Sequence, residues 1–178
     1  MIIIFEGVDK SGKSTLINHF NGLIIKNRII PTNKTYIPIY QKSQSALLNF
    51  LKNHDKEKYN ILLDRSYISE IVYSKVKRNY DAFDDIFYEF LSNEYRKMNC
   101  FVVYCYAPIV SLWERISEKY DFKDVKNIDE LKLARERYNK FFSSEKLRIS
   151  KVDLNTWNSK QACVQKIRLV MKHFENVI

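Results

Sequence analysis

The chain has 178 residues, enough for one domain around a single sizeable core, and 46% of them are hydrophobic. No apolar stretch approaches the roughly 20 residues that span a bilayer, and the opening run MIIIF is too short for a signal peptide and lacks a basic lead-in, so no membrane partner and a cytoplasmic location are expected. The formal net charge of +9 favours an anionic ligand only weakly, because the basic residues are scattered among acids, as in KNHDKEK and SEKYDFKDVK.

Residues 2–5 (IIIF) predict a buried strand. The stretch 13–26 (KSTLINHFNGLIIK) predicts a helix with Leu16, Phe20, Leu23 and Ile24 along one face. A second strand is expected within 28–37, where Pro31 puts it near a strand start or a sheet edge. Helical spacing resumes over 43–53, with Ala46, Leu47, Phe50 and Leu51 on one side. NILL (60–63) reads as a strand ending at Asp64. Two helices follow, over 66–78 and 81–98, and then a strand, CFVVYCYA (100–107). IVSLWERISEKY and IDELKLARERYNKFF predict helices around a charged segment, KLRISKVDL (146–154) a last strand, and the remainder a closing helix. Cys100, Cys105 and Cys163 are odd in number and lack metal-ligand spacing. Cys100 and Cys105 flank an apolar run and read as buried strand residues, not as a disulfide framework.

With three glycines, three prolines and no repeat, the sequence offers no flexible linker, so residues 1–178 are expected to form one domain. Short, uniformly apolar strands alternating with amphipathic helices predict an α/β fold. Its central sheet should be mostly parallel, of about five strands, with helices on both faces. Ligands of such sheets lie beyond the C-terminal strand ends, which directs attention to the loops after Phe5, Ile37, Leu63, Ala107 and Leu154.

Two of the three glycines fall just after the first strand. Gly7, Gly12, Lys13 and Ser14 fit G-x-x-x-x-G-K-[ST] with a strand before and a helix after. Such a loop curls its backbone N–H groups around phosphates, with glycines allowing close approach. Ser11 and Thr15 belong to the same phosphate-binding set. Lys13 can reach the β- and γ-phosphates, Ser14 can ligate Mg²⁺ through its hydroxyl, and the following helix adds its positive end. Lys13 is expected to be exposed in the ligand-free protein. Asp64, at the end of an apolar strand, suits a carboxylate that holds Mg²⁺ or polarises a nucleophile, and the guanidinium of Arg65 beside it can grip a second phosphate.

FEGVDKSGKST (5–15) together with DRSYISEIVYSK (64–75) resembles the thymidylate kinases and the related deoxynucleoside kinases, which are P-loop three-layer sandwiches. The resemblance implies ATP and Mg²⁺ as cofactors, with a lid at approximately 115–137. It puts Asp9, Arg65 and Ser69 beside the acceptor, Lys10 beside the transferred phosphoryl group, Arg115 against the ATP phosphates and Asn155 in the adenine-side loop. Lys119, Lys123, Arg135 and Arg137 are further lid candidates. The chain also departs from the thymidylate kinase pattern. Tyr36 stands where an acceptor-phosphate arginine is usual, Ser66 stands where tyrosine is usual, and the helix expected between LLNFLKN and NILLDRS is missing. Tyr73, Tyr67, Tyr40 and Phe83 are candidates to stack on the acceptor base.

The leading expectation is phosphoryl transfer from ATP to a deoxynucleoside monophosphate, with dTMP the first choice. A deoxynucleoside kinase, in which Asp64 acts as general base on a 5′-hydroxyl, is the nearest alternative. A kinase acting on a polynucleotide ranks behind a small-molecule acceptor. A nucleotide-binding regulator without chemistry also stays open. A homodimer through the apolar helices at 67–76 and 82–91 is a further expectation.

Overall fold

Five short strands make one sheet in the order β2-β3-β1-β4-β5. In chain order the elements are β1 (Ile2–Glu6), α1 (Lys13–Ile17), β2 (Leu23–Lys26), α2 (Ile37–Asn53), β3 (Ile61–Asp64), α3 (Tyr67–Arg78), α4 (Asp85–Lys97), β4 (Phe101–Tyr106), α5 (Ile109–Glu118), α6 (Ile128–Ser144), β5 (Arg148–Asp153) and α7 (Trp157–Glu175). The computed structural model describes residues 1–27, 37–54, 59–78, 81, 83–118, 125–144, 147–154 and 157–175. Every strand pairing is parallel, so the sheet is wholly and not merely mostly parallel.

Strand side chains alternate between the two faces, and both faces are covered. Ile2 and Ile4 of β1, Ile61 and Leu63 of β3, and Val102 and Tyr104 of β4 join one core with residues of α2 to α6. Ile3 and Phe5, Leu62, and Val103 and Cys105 join the other with Leu16, Ile17, Phe20, Cys163, Val164 and Ile167 of the α1 and α7 side. Burial on both sides is why β1 is apolar at four of its five positions and why it shows no alternation. All three cysteines are buried and free. Among the described residues, no helix is long and apolar enough to cross a membrane.

The expected helix over 13–26 is the main misreading of secondary structure. It stops after Ile17, and its second half is the edge strand β2. The periodicity misled because Leu16, Ile17 and Phe20 are buried at helical spacing, whereas Leu23 and Ile24 are side chains of an edge strand, about two-fifths exposed. The switch occurs at Gly22, whose backbone lies so near the neighbouring chain that an added Cβ would sit 2.5 Å from the Asn60 carbonyl oxygen. Leu23 N–H then donates to that same oxygen at 2.8 Å and starts the β2–β3 ladder. Residues 28–36, where the second strand was expected, lie outside the described residues. Ile37 opens α2, so no strand ends there. Only residues 54–60 separate α2 from β3, in agreement with the missing helix.

Replacing Gly22 by alanine should push the Asn60 carbonyl aside and weaken the β2 edge. The expected cost is about 2 kcal/mol, or a fall in Tm of roughly 4–8 °C for a chain of this size. Thermal unfolding monitored by circular dichroism measures it.

Candidate active site

The loop from Gly7 to Gly12 links β1 to α1 at the C-terminal edge of the sheet. Gly7 is fixed by proximity, because a Cβ there would lie 2.3 Å from the Cys105 carbonyl oxygen of β4. Lys13 is buried, contrary to the expected exposure. Its Nζ donates to the carbonyls of Gly7 at 2.9 Å and Val8 at 3.0 Å, so the ammonium is held by the loop it supports. Burial, helped by the charge of Arg65, pushes its pKa down from the ordinary 10.5 to about 8. Ser11 is buried as well, and its Oγ has no hydrogen-bond partner among the described residues. Ser14 and Thr15 are exposed at the start of α1.

Asp64 ends β3 directly opposite Phe5 in the β1–β3 register. That pairing brings its carboxylate to the first turn of α1, where Ser14 Oγ donates to Asp64 Oδ2 at 3.2 Å. Two hard oxygen donors side by side at a glycine loop fit Mg²⁺, which commonly takes one or two protein oxygens and keeps several waters. Among the described residues no cluster of three or more His, Cys, Asp or Glu side chains competes as a metal site.

Arg65 turns the chain with a left-handed backbone, φ 75°. Its side chain is buried, and Nη1 donates to Gly7 O at 3.2 Å, Ser69 Oγ at 3.1 Å and Tyr138 OH at 3.4 Å. Nη2 pairs with the carboxylate of Asp9. The guanidinium also lies 5.1 Å from the ring centre of Tyr73, whose hydroxyl accepts from Asp9 N–H at 3.3 Å. Desolvation opposes the charge, but Tyr73, Tyr138, Asp9 and Glu6 outweigh it and hold Arg65 firmly protonated. The structure thus brings Asp9, Arg65, Ser69 and Tyr73 together.

Three members of this group were not foreseen. Glu6, the last residue of β1, is fully buried. Its Oε1 accepts from Ser66 N–H at 2.6 Å and Ser66 Oγ at 2.7 Å, and its Oε2 from Ser69 Oγ at 2.5 Å and Tyr138 OH at 3.1 Å. Burial raises the Glu6 pKa, and the hydrogen bonds from Ser69 and Ser66 and the charge of Arg65 oppose the rise. A lone carboxylate closing an apolar strand was the available signal, since such a group needs buried donors. Ser66 and Tyr138 are the donors, together with Ser69.

The remaining expected residues are spread more widely. Arg115, in the last turn of α5, donates to the Lys10 carbonyl at 3.0 Å, which ties α5 to the loop. Arg135 of α6 reaches the Tyr106 hydroxyl at 2.7 Å, and Arg137 reaches the Ile71 carbonyl at 3.5 Å. Tyr36, Asn155, Lys119 and Lys123 lie outside the described residues, as do residues 119–124 of the expected lid. Tyr40, Tyr67, Tyr73 and Phe83 are buried, and Tyr40 stacks on Phe83 at 5.7 Å. They belong to the core on the α2–α6 side of the sheet.

No family model and no curated protein matches the sequence. Solved structures match over nearly the whole chain. The YorR protein from Bacillus subtilis, in complex with phosphorylated GDP, is 21% identical, covers 98% of each chain and superimposes with a TM-score of 0.75. Deoxyadenosine kinase from M. mycoides with bound dATP is 18% identical over 94% of this chain and 100% of that one, with a TM-score of 0.64. The thymidylate kinase from Candida albicans is 17% identical over 98% and 92%, with a TM-score of 0.59. The fold is that of the P-loop nucleotide kinases.

The depressed Lys13 pKa carries a pH signature. Below pH 8 both folded and unfolded chains hold the proton, and the burial cost is present in full. Between about 8 and 10.5 the unfolded chain keeps a proton that the folded chain has released, so the contribution of this residue to stability rises with pH. The wild type should therefore gain stability relative to Lys13→Met on going from about pH 7 to about pH 10. Thermal unfolding of both proteins at the two pH values measures the difference, and a constant gap contradicts the depressed ammonium.

Proposed function

We propose that this protein is a nucleotide kinase that transfers the γ-phosphoryl group of ATP to a deoxynucleoside monophosphate, dTMP first among them. The observation that carries this reading is the 3.2 Å contact between Ser14 and Asp64 beside the phosphate loop. A mere strand-to-helix turn has no need for a hydroxyl and a carboxylate at that point. Ser14 and Asp64 would hold Mg²⁺ there, and the ion would supply positive charge to offset that of the phosphates. Gly7 to Ser14 would supply backbone N–H donors to the ATP phosphates, and the Lys13 ammonium would turn from the loop carbonyls to phosphate. Lys10 and Arg115 stand at the same loop and suit the charge of the phosphoryl group in flight. Asp9, Arg65, Ser69 and Tyr73 form the acceptor side. An acceptor phosphate oxygen attacks the γ-phosphorus in line, ADP leaves, and no protein nucleophile is required.

One observation favours a second reading, transfer to the 5′-hydroxyl of a deoxynucleoside. The Arg65 guanidinium is engaged by Asp9, Ser69, Tyr138 and the Gly7 carbonyl, and an acceptor phosphate would have to compete with Asp9 for it. In that case Asp64 takes the hydroxyl proton as general base. We also propose a cytoplasmic location and a homodimer. Ile86 and Phe90, exposed one turn apart on α4, are the apolar residues such a dimer would use.

Labelled ATP and Mg²⁺ incubated with dTMP, thymidine, the other deoxynucleosides and their monophosphates, and single-stranded oligonucleotides separate the readings. Transfer to dTMP well above thymidine supports the first, the reverse order supports the second, and transfer to none of them overturns both. Asp64→Asn should lower kcat by about 10²-fold in either case, the scale of a lost general base or metal-positioning group. Arg65→Lys should chiefly raise the KM of the acceptor. If it raises only the KM of ATP, the acceptor role of Arg65 is wrong.

A further inference from the structure

The Glu6 carboxylate joins three separate segments. It closes β1, it binds Ser66 and Ser69 of the β3–α3 connection and of α3 itself, and it binds Tyr138 in the third turn of α6. The proton arrangement is closed. Ser69 and Tyr138 each have one hydroxyl hydrogen, and both lie within donating distance of Glu6 Oε2. Their oxygens are then left as acceptors, and Arg65 Nη1 donates to both, at 3.1 Å and 3.4 Å. Ser69 Oγ and Tyr138 OH lie 2.8 Å apart, held side by side by the Glu6 oxygen and the Arg65 nitrogen that they share.

The rings are packed as tightly as the polar atoms. Tyr138 stacks against Tyr104 at 5.6 Å and meets the edge of Tyr73 at 6.3 Å, while Tyr73 in turn lies under the Arg65 guanidinium. With no exposure, Tyr138 has one position for its hydroxyl. Two fixed points thus lie three residues apart on α6, Arg135 on Tyr106 and Tyr138 on Glu6, within a helix that packs on both α3 and α5.

We propose that Glu6 and Tyr138 are positioning residues for the acceptor side of the site, fixing the Arg65 guanidinium and through it Asp9, so that α6 and the phosphate-loop edge of the sheet hold one geometry. The proposal rests on the reading of Arg65 as an acceptor-side group. Among the described residues no hydrogen bond joins Tyr138 to Ser14 or Asp64, so its effect should fall chiefly on the acceptor. Removing its hydroxyl leaves Arg65 Nη1 with one fewer acceptor and Glu6 Oε2 with one fewer donor, while the ring stays to fill the core.

The variant is Tyr138→Phe, and two readouts decide it. The first is hydrogen exchange of the Arg65 guanidinium, followed by NMR in ¹⁵N-arginine-labelled protein, which needs no turnover. Exchange should quicken about tenfold in the variant. The second is steady-state kinetics with the best acceptor of the panel. The acceptor KM should rise about fivefold or more while the KM of ATP stays within about twofold. In an Arg65→Lys background the same tyrosine substitution should add nothing further, because it acts through Arg65. Unchanged exchange overturns the proposal, and so does an effect on acceptor KM that persists in full with Arg65→Lys. If the wild type phosphorylates no acceptor, the functional reading fails, and the exchange measurement still decides whether Tyr138 fixes Arg65. Glu6→Gln provides the second probe. It should quicken the same exchange, because an amide cannot accept at both terminal atoms, and no change in it counts against the proposal.

Discussion

The backbone N–H of Arg65 donates to the carbonyl of Phe5 at 3.0 Å, one step beyond the Phe5–Asp64 pair of the central ladder. The site depends on this register. It sets the end of β3 level with the start of the phosphate loop, so that Asp64 meets Ser14 and Arg65 meets Gly7. A slip of one residue would turn Asp64 to the opposite face of the sheet and break both contacts. The left-handed backbone of Arg65 is the cost of ending the strand there, of the order of 1–3 kcal/mol for a residue with a side chain. Asp9, Ser69, Tyr138 and Tyr73 are among the side chains that hold it in that conformation.

Charge is the second constraint. Lys13, Arg65 and Glu6 are all buried within the same small volume, with Asp9 at its edge. Each would be costly alone. Together they compensate one another: Lys13 on loop carbonyls, Arg65 between Asp9 and two hydroxyls, Glu6 on four donors. The depressed Lys13 and the firmly protonated Arg65 are two outcomes of one arrangement, since Arg65 takes the nearby negative partner and its charge works against that of Lys13. On the proposed reading, a phosphate delivered to the loop would relieve this imbalance.

How much of this was legible in the sequence follows from the range of each interaction. The α/β fold and the strands at 2–5, 60–63 and 100–107 were readable, because apolar runs are local signals. The Gly7-to-Ser14 spacing is equally local, and the structure sets that loop between a strand and a helix with Asp64 and Arg65 beside it. The helix drawn over 13–26 failed because the end of α1 depends on the approach of Gly22 to Asn60, which are 38 residues apart in the chain. The exposure of Lys13 was misjudged because its partners are backbone carbonyls, which no side-chain pattern reveals. Glu6 with Tyr138 was missed because 132 residues separate them: the lone carboxylate of β1 signals a need for donors, but Tyr138 alone resembles an ordinary member of a helix.

The central claim is that Ser14 and Asp64 form the metal end of an ATP site. Isothermal titration calorimetry of the wild-type protein with ATP, with Mg²⁺ and then with a chelator, tests it most directly, with Asp64→Asn as the companion titration. The account predicts ATP binding that tightens at least about tenfold with Mg²⁺ in the wild type, with most of that gain lost in Asp64→Asn. ATP binding that is indifferent to Mg²⁺, or no ATP binding by a folded wild-type protein, would contradict it.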